Sequence, residues 1–308
     1  MLVQPRDLFP GCLKENYMIG AFNVFNLDTA TAVLEAAAGE HSPAILQVSM
    51  GARRYAASLP LFIEVLRLCI EHYDVPVILH HDHCPSVEAC KEAIDMGFPS
   101  VMFDGSHLPF EENVKATREV TAYAHKRNRW VEAELGSIPG FEDEVFSDKA
   151  VFTDPEMAKS FVEKTGCDSL AVAAGTSHGG VLSEHSLKLD FAQLEKIRRA
   201  LPGYPLVLHG GASLPEELID AVNAQGAKVP YMRNVSESDI ALCRNYGVVK
   251  VNMDVDNFMV YTTKVRETLN QHPDKYDPRV YLKEAKTAFE EQVRHKMRDV
   301  LHSARKTN

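Results

Sequence analysis

Long apolar runs are missing from this sequence. No stretch approaches the roughly 20 consecutive apolar residues that span a bilayer, and the N-terminal MLVQPRDLFPGCLKENY has no unbroken apolar core of the kind a secretory leader carries. Paired cysteines are missing too: the six, at positions 12, 69, 84, 90, 167 and 243, form no CxxC motif and are thinly spread, which argues against a disulfide framework. Positive charge is in deficit, with 33 Lys and Arg against 43 Asp and Glu for a net charge of -10, so nucleic acid and anionic membrane surfaces are repelled. These absences predict a soluble, unprocessed protein of a reducing cytoplasmic compartment whose partner is a small molecule. Low-complexity segments and linkers are absent from the 308 residues, so nothing divides the chain, and at 45% hydrophobic it can bury a large core.

What is present is a repeating alternation. Short β-prone runs recur as GAFNV at 20–24, AILQVS at 44–49, PVILHHD at 76–82, SVMFDGS at 100–106, WVEAELG at 130–136, SLAVAAGTSH at 169–178, PLVLHGGAS at 205–213 and VVKVNMD at 248–254. Between them lie segments of helical spacing such as LFIEVLRLCIEHY, SVEACKEAIDMG and PEMAKSFVEKTG, the last two closing on the glycine that favours a helix C-terminus. Eight apolar strands alternating with helices predict a parallel (β/α)8 TIM barrel, one domain over residues 1–308 with a C-terminal helical extension.

Each run turns polar at its C-terminal end, the end at which barrels of this kind build their sites. The residues collected there are Asn23, Ser49, Asp82, His83, Asp104, His107, Glu132, Glu134, His178, His209, Asn252 and Asp254. Three histidines from different strand ends can meet around one metal, and neutral imidazoles favour zinc or a related transition metal. Each piece has a plainer reading. A single His after a strand is ordinarily a hydrogen-bonded loop residue, which covers His80 and His81; Glu132 and Glu134 read equally as core residues paired with Lys or Arg; the glycines of GTSHGG and HGG serve tight turns. Their coincidence at one end of the barrel raises the functional reading, and spacing alone leaves metal-dependent hydrolase, epimerase and aldolase open.

HHDHC, MFDGSHLPFEENV, VEAELGSIPGFEDE, DSLAVAAGTSHG, LVLHGGASLP, KVNMDVD and YDPRVYLKEA, in this order and over nearly the whole chain, closely resemble the class II, zinc-dependent fructose-bisphosphate and tagatose-bisphosphate aldolase family. The segment GAKVPYMRNVSESD resembles that family's longer branch. The resemblance implies a homodimer or homotetramer, a sugar or sugar phosphate as substrate, and one catalytic zinc ion, with a second metal or a monovalent cation also possible. Carried over position by position, it makes His83, His178 and His209 the zinc ligands and Asp82 the residue exchanging a proton with the hydroxyl at the breaking bond. Asp104 and Glu134 match positions at or near a secondary metal site, and Glu142 matches a mobile-loop acid serving the enediolate carbon. Asn23, Ser49, Gly179, Gly210, Gly211, Ser213, Asn252, Asp254 and Arg279 are the expected substrate contacts, Arg279 matching an arginine that reaches into a neighbouring subunit. A Schiff-base mechanism is disfavoured, because Lys250 is the one lysine in an inferred strand and lies upstream of its polar end; it reads as structural.

The departures from the family concentrate on phosphate recognition. Leu182 stands where the family carries a lysine three residues past Gly179, and Ala212 where the HGGS or HGAS loop has its hydroxyl, which here comes one residue later at Ser213. Val255 and Phe258 replace a hydroxyl and a basic residue of NIDTDLR. Losing charge-assisted contacts of about 1.5–3 kcal/mol each predicts a ketose lacking one or both phosphates. The rivals are a zinc hydrolase and a non-catalytic sugar-binding barrel.

Overall fold

The computed structural model describes residues 1–142, 145–147, 151–182 and 187–307, with the backbone alone at 141, 142 and 145–147. Its strands are β1 (Ile19–Asn23), β2 (Ala44–Val48), β3 (Val77–Cys84), β4 (Ser100–Phe103), β5 (Trp130–Leu135), β6 (Gly140–Glu142), β7 (Val145–Ser147), β8 (Ser169–Val172), β9 (Leu206–Leu208) and β10 (Val248–Met253). Eight of these close a barrel in the order β1-β10-β9-β8-β5-β4-β3-β2, with parallel pairing throughout. They are the eight runs expected from the apolar pattern. The antiparallel hairpin of β6 and β7 is an addition that the pattern did not announce.

The helices expected from spacing run over Leu59–His72, Val87–Asp95 and Pro155–Thr165. The last shows why it starts and stops where it does: the Asp154 carboxylate accepts from the Met157 N–H at 2.9 Å, Pro155 occupies the first turn, and Gly166 ends the helix at φ 66°.

Inside the barrel, alternate residues of each strand face inward, and their character changes with height. Ile19, Ile45 and Ile78 pack with Phe9 and Cys12 of the N-terminal helix Pro5–Glu15, which covers that end of the barrel, and with Tyr17 just beyond it. Phe9 meets Trp130 edge-on at 5.6 Å. Further along the same strands stand Asn23, Gln47, His80 and Asp82, all buried. One end is therefore an apolar plug and the other a polar chamber. Beyond β10, helices Val255–Gln271 and Pro278–His295 pack on each other, and the second also packs on helix Leu27–Glu40. Among the described residues no helix is long and apolar enough to cross a membrane.

Candidate active site

His80 and Asp82 of β3 face the interior, whereas His81 faces outward, its Nδ1 3.2 Å from Cys84 Sγ and its ring edge-on to Phe98 at 5.1 Å. Strict alternation would send His83 outward as well. Instead the register with β4 shifts between His81 and Cys84, and His83 adopts φ 42°, so two successive residues, Asp82 and His83, share the chamber. This local irregularity is what the abrupt polar end of β3 encodes.

His83 meets two other imidazoles there. Its ring centroid lies 4.7 Å from His209 and 5.2 Å from His178, and those two are 5.9 Å apart. With Glu134 they form a buried set whose donor atoms all lie within 4.8 Å of one another. Glu134 thus groups with the three histidines, while Asp104 stands behind one of them, its Oδ2 2.9 Å from His83 Nδ1 and its Oδ1 accepting from the Ser106 hydroxyl at 2.7 Å. His209 Nε2 lies 2.9 Å from Glu132 Oε1, and His209 Nδ1, 3.4 Å from Glu134 Oε2, has no hydrogen-bond partner among the described residues. Burial lowers the His209 pKa to about 4, against the opposing pull of Glu132, which keeps the ring neutral near pH 7. Three nitrogen donors and a carboxylate oxygen, with one buried ring nitrogen lacking a partner, suit a divalent ion of zinc type.

Asp82 lies beside this set, Oδ2 3.7 Å from His83 Nε2. Gln47 donates to Oδ2 at 2.8 Å and Asn252 at 3.2 Å, so its orientation is fixed from two other strands. Burial alone would raise its pKa, but the His83 and Lys250 charges hold it well below the usual carboxylate range. Beneath Asp82 is a second group of the same residue types, His80, Asp82 and Glu132, whose ligand atoms also lie within 4.8 Å of one another. Lys250 reaches into it, with Nζ 2.8 and 3.0 Å from the Glu132 oxygens. Glu132 is therefore the core carboxylate paired with a lysine that the plainer reading allowed, and Lys250 together with burial and His209 sets its pKa: burial raises it, then Lys250 and the His209 hydrogen bond bring it down to about 2.

The remaining sequence candidates divide into groups. Asn23, buried at the end of β1, accepts from Gln47 at 2.8 Å and donates to Asp254 at 3.4 Å, and Asn23, Asp82, His178, Gly179, Gly210, Asn252 and Asp254 line one cavity with Gln47. Ser49 caps the short helix Met50–Tyr55 by accepting from Ala52 N–H at 3.2 Å. Gly179 and Gly210 sit at φ 67° and 61°, which turns of this kind need, and a Cβ on Gly210 would also overlap the Ser177 carbonyl. The Gly211 N–H is engaged by Asn252 O at 3.0 Å and the Ser213 N–H by Asp256 at 3.2 Å. Arg279 lies outside the chamber, its side chain 88% exposed and bonded to Asp277; His107 is also exposed. The side chain of Glu142, at the end of β6, falls outside the described residues. Two site residues escaped the sequence reading. Gln47 had a signal, being the one polar residue within AILQV. Asn234 had none; from the extra segment it donates to both Ser177 O and Gly210 O at 2.9 Å, joining the two glycine loops.

Comparison with known proteins agrees with this geometry. Residues 3–306 match the family model of class II fructose-bisphosphate aldolase. A fructose-bisphosphate aldolase of Treponema pallidum is 39% identical, covering 98% of this chain and 97% of that one, and one of Giardia intestinalis is 41% identical over 94% and 89%. Among solved structures, the YdjI aldolase of Escherichia coli superposes with a TM-score of 0.80 at 29% identity, covering 100% of both chains. The buried histidine set at the mouth of a parallel barrel and these matches along its whole length have one conclusion: the chain belongs to the class II fructose-bisphosphate aldolase family, lyases that act by aldol cleavage.

Proposed function

We propose that the protein is a zinc-dependent aldolase cleaving a ketose between its third and fourth carbons, and that its substrate lacks at least one of the two phosphates of fructose bisphosphate. The observation carrying the first part is the convergence of His83, His178, His209 and Glu134 within 4.8 Å, directly beside the buried Asp82. Those four residues would hold the ion, and when bound it supplies Lewis-acid stabilisation for the charge left on the ketone fragment. Asp82 accepts the proton of the hydroxyl on the fourth carbon. Gln47 and Asn252 aim its carboxylate, and the neighbouring positive charge keeps it ionised and ready to accept. The cavity wall of Asn23, Asn252 and Asp254 binds the sugar hydroxyls. The matching position assigns Glu142 to the proton at the ketone fragment's reacting carbon.

The second part rests on what replaces the family's phosphate contacts. Leu182 is 76% exposed and offers no charge, and Ala212 is buried. Phe258 lies one helical turn past Asp254, with its ring 5.5 Å from Phe25, which in turn meets Tyr55 at 5.8 Å, so an aromatic cluster stands where the family carries a basic residue. Arg53 is engaged by Glu92, and two loop amides, those of Gly211 and Ser213, are already bonded within the chain. A phosphate dianion buried there with too few partners would cost several kcal/mol, to order of magnitude. The subunits associate as a homodimer or homotetramer, with the exposed Arg279 offered to a neighbouring site.

The test is turnover of a panel of free, mono- and bisphosphorylated ketoses, read as release of dihydroxyacetone or its phosphate. Fructose bisphosphate should give a kcat/KM below about 10⁴ M⁻¹s⁻¹ and fall behind a ketose with fewer phosphates. Leu182→Lys with Ala212→Ser should move the preference back toward phosphate. A bisphosphate that leads the panel in the unmodified protein sinks the reduced-phosphate reading and leaves the aldolase reading standing.

A further inference from the structure

The chamber holds two groups of histidine and carboxylate, one above the other, and in the lower only Asp82 has a part in the proposed reaction. Its occupant is unusual. Lys250 sits in the middle of β10 between Val249 and Val251 and is 1% exposed. Burying an ammonium ion is strongly disfavoured unless every proton finds an acceptor and the charge finds a counter-charge. Here Nζ lies 2.8 and 3.0 Å from the two Glu132 oxygens, 3.2 Å from His80 Nε2 and 3.8 Å from Asp82 Oδ1. These acceptors are the same three residues whose ligand atoms cluster closely enough to hold a metal ion.

We propose that Lys250 is a positioning residue: its ammonium takes the place of a second metal ion in the lower group and, through Glu132 and Asp82, sets the metal-binding and proton-transferring side chains in register with each other. Two contacts carry this outward. Glu132, clamped by Lys250, accepts at Oε1 from His209 Nε2 at 2.9 Å, which fixes the tautomer and turns the Nδ1 lone pair toward Glu134 and the other histidines. Asp82 has Lys250 on its lower side, through Oδ1, while Gln47 and Asn252 hold it from above through Oδ2. His80 completes the arrangement. With Nε2 facing the ammonium, its proton lies on Nδ1 and is given to Ser100 Oγ at 2.7 Å. A single buried lysine thereby touches the support of a metal-binding histidine and the carboxylate that moves the proton. The inference rests on the roles proposed above for His209 and Asp82.

Anomalous diffraction from crystals of the wild-type protein loaded with excess zinc tests the first half. One peak is expected among His83, His178, His209 and Glu134, and none among His80, Asp82 and Glu132. A peak in the lower group overturns the proposal, whereas no peak in the upper group overturns the zinc assignment instead. Lys250→Met tests the second half, with Lys250→Met/Glu132→Gln as the companion that also removes the counter-charge should the single variant fail to fold. Zinc affinity by chelator competition should weaken about 10–100-fold, the visible bands of the cobalt-substituted protein should shift, and kcat should fall with KM little changed. A purely structural lysine would lower thermal stability alone. Wild-type metal affinity, cobalt spectrum and kcat in either folded variant would overturn the positioning role.

Discussion

The lower and upper groups of the chamber are built from the same chemistry, histidine and carboxylate, about one strand repeat apart along β3 and β5. In the lower group Glu132 and His80 gather around the ammonium of Lys250, a cation that the chain itself supplies. In the upper group three imidazoles and Glu134 converge on one another. On the proposed function the same residue types mean opposite things at two heights: an internal ion pair below, and a place for an external ion above. Asp82 belongs to the lower group and lies 3.7 Å from His83 of the upper, so one carboxylate touches both.

The sharpest way to break this comparison is to remove the external ion. Exhaustive chelation should abolish cleavage and zinc return should restore it, and His83→Ala should bring metal content close to zero. Full activity in the metal-free protein would show that the upper group is no different in kind from the lower. A smaller effect separates the shared carboxylate from the ligands beside it. Asp82→Ala should lower kcat by about 10²–10⁴-fold with zinc content nearly unchanged, and equal zinc loss from the Asp82 and His83 variants would erase the division between them.

The smallest effect is one of pH on the metal-free fold. His209 is held at about 4 in the folded chain against about 6.5 unfolded, so the unfolded chain takes up the proton first. Stability is complete above pH 6.5 and declines as pH falls toward 4, by up to about 1.4 kcal/mol per unit. Glu132, at about 2 when folded and 4.5 when free, adds a second decline between those values, again on acidification. Melting temperature against pH follows both windows. Lys250→Met should remove most of the lower one, since that lysine is the main force holding Glu132 down; a curve without slope between pH 6.5 and 4 would mean that His209 is not kept neutral by the fold.

How much of this could be read beforehand differs by residue. The eight barrel strands were visible because parallel strands covered by helices are apolar almost throughout, and HHDHC, GTSHG and LHGG stood out against that background. Gln47 does not stand out, since one amide inside a strand is weak evidence of direction. Lys250 reads as structural because it lies below the polar ends, but its partner Glu132 is 118 residues away and no local pattern joins them.

The sequence alone determined the alternation of strand and helix, the end of the barrel at which chemistry gathers, and the kinds of side chain available there. These follow from periodicity and from the free energy of burying apolar surface, both of which act along short stretches of chain. Tertiary structure alone decided which histidines share the chamber. Adjacent residues of β3 ordinarily face opposite ways, and only the register slip against β4, with His83 at φ 42°, turns His83 to the side of Asp82 and leaves His81 outside. That choice belongs to the packing of neighbouring strands, where the positions of residues distant in sequence fix the backbone that each local segment must adopt.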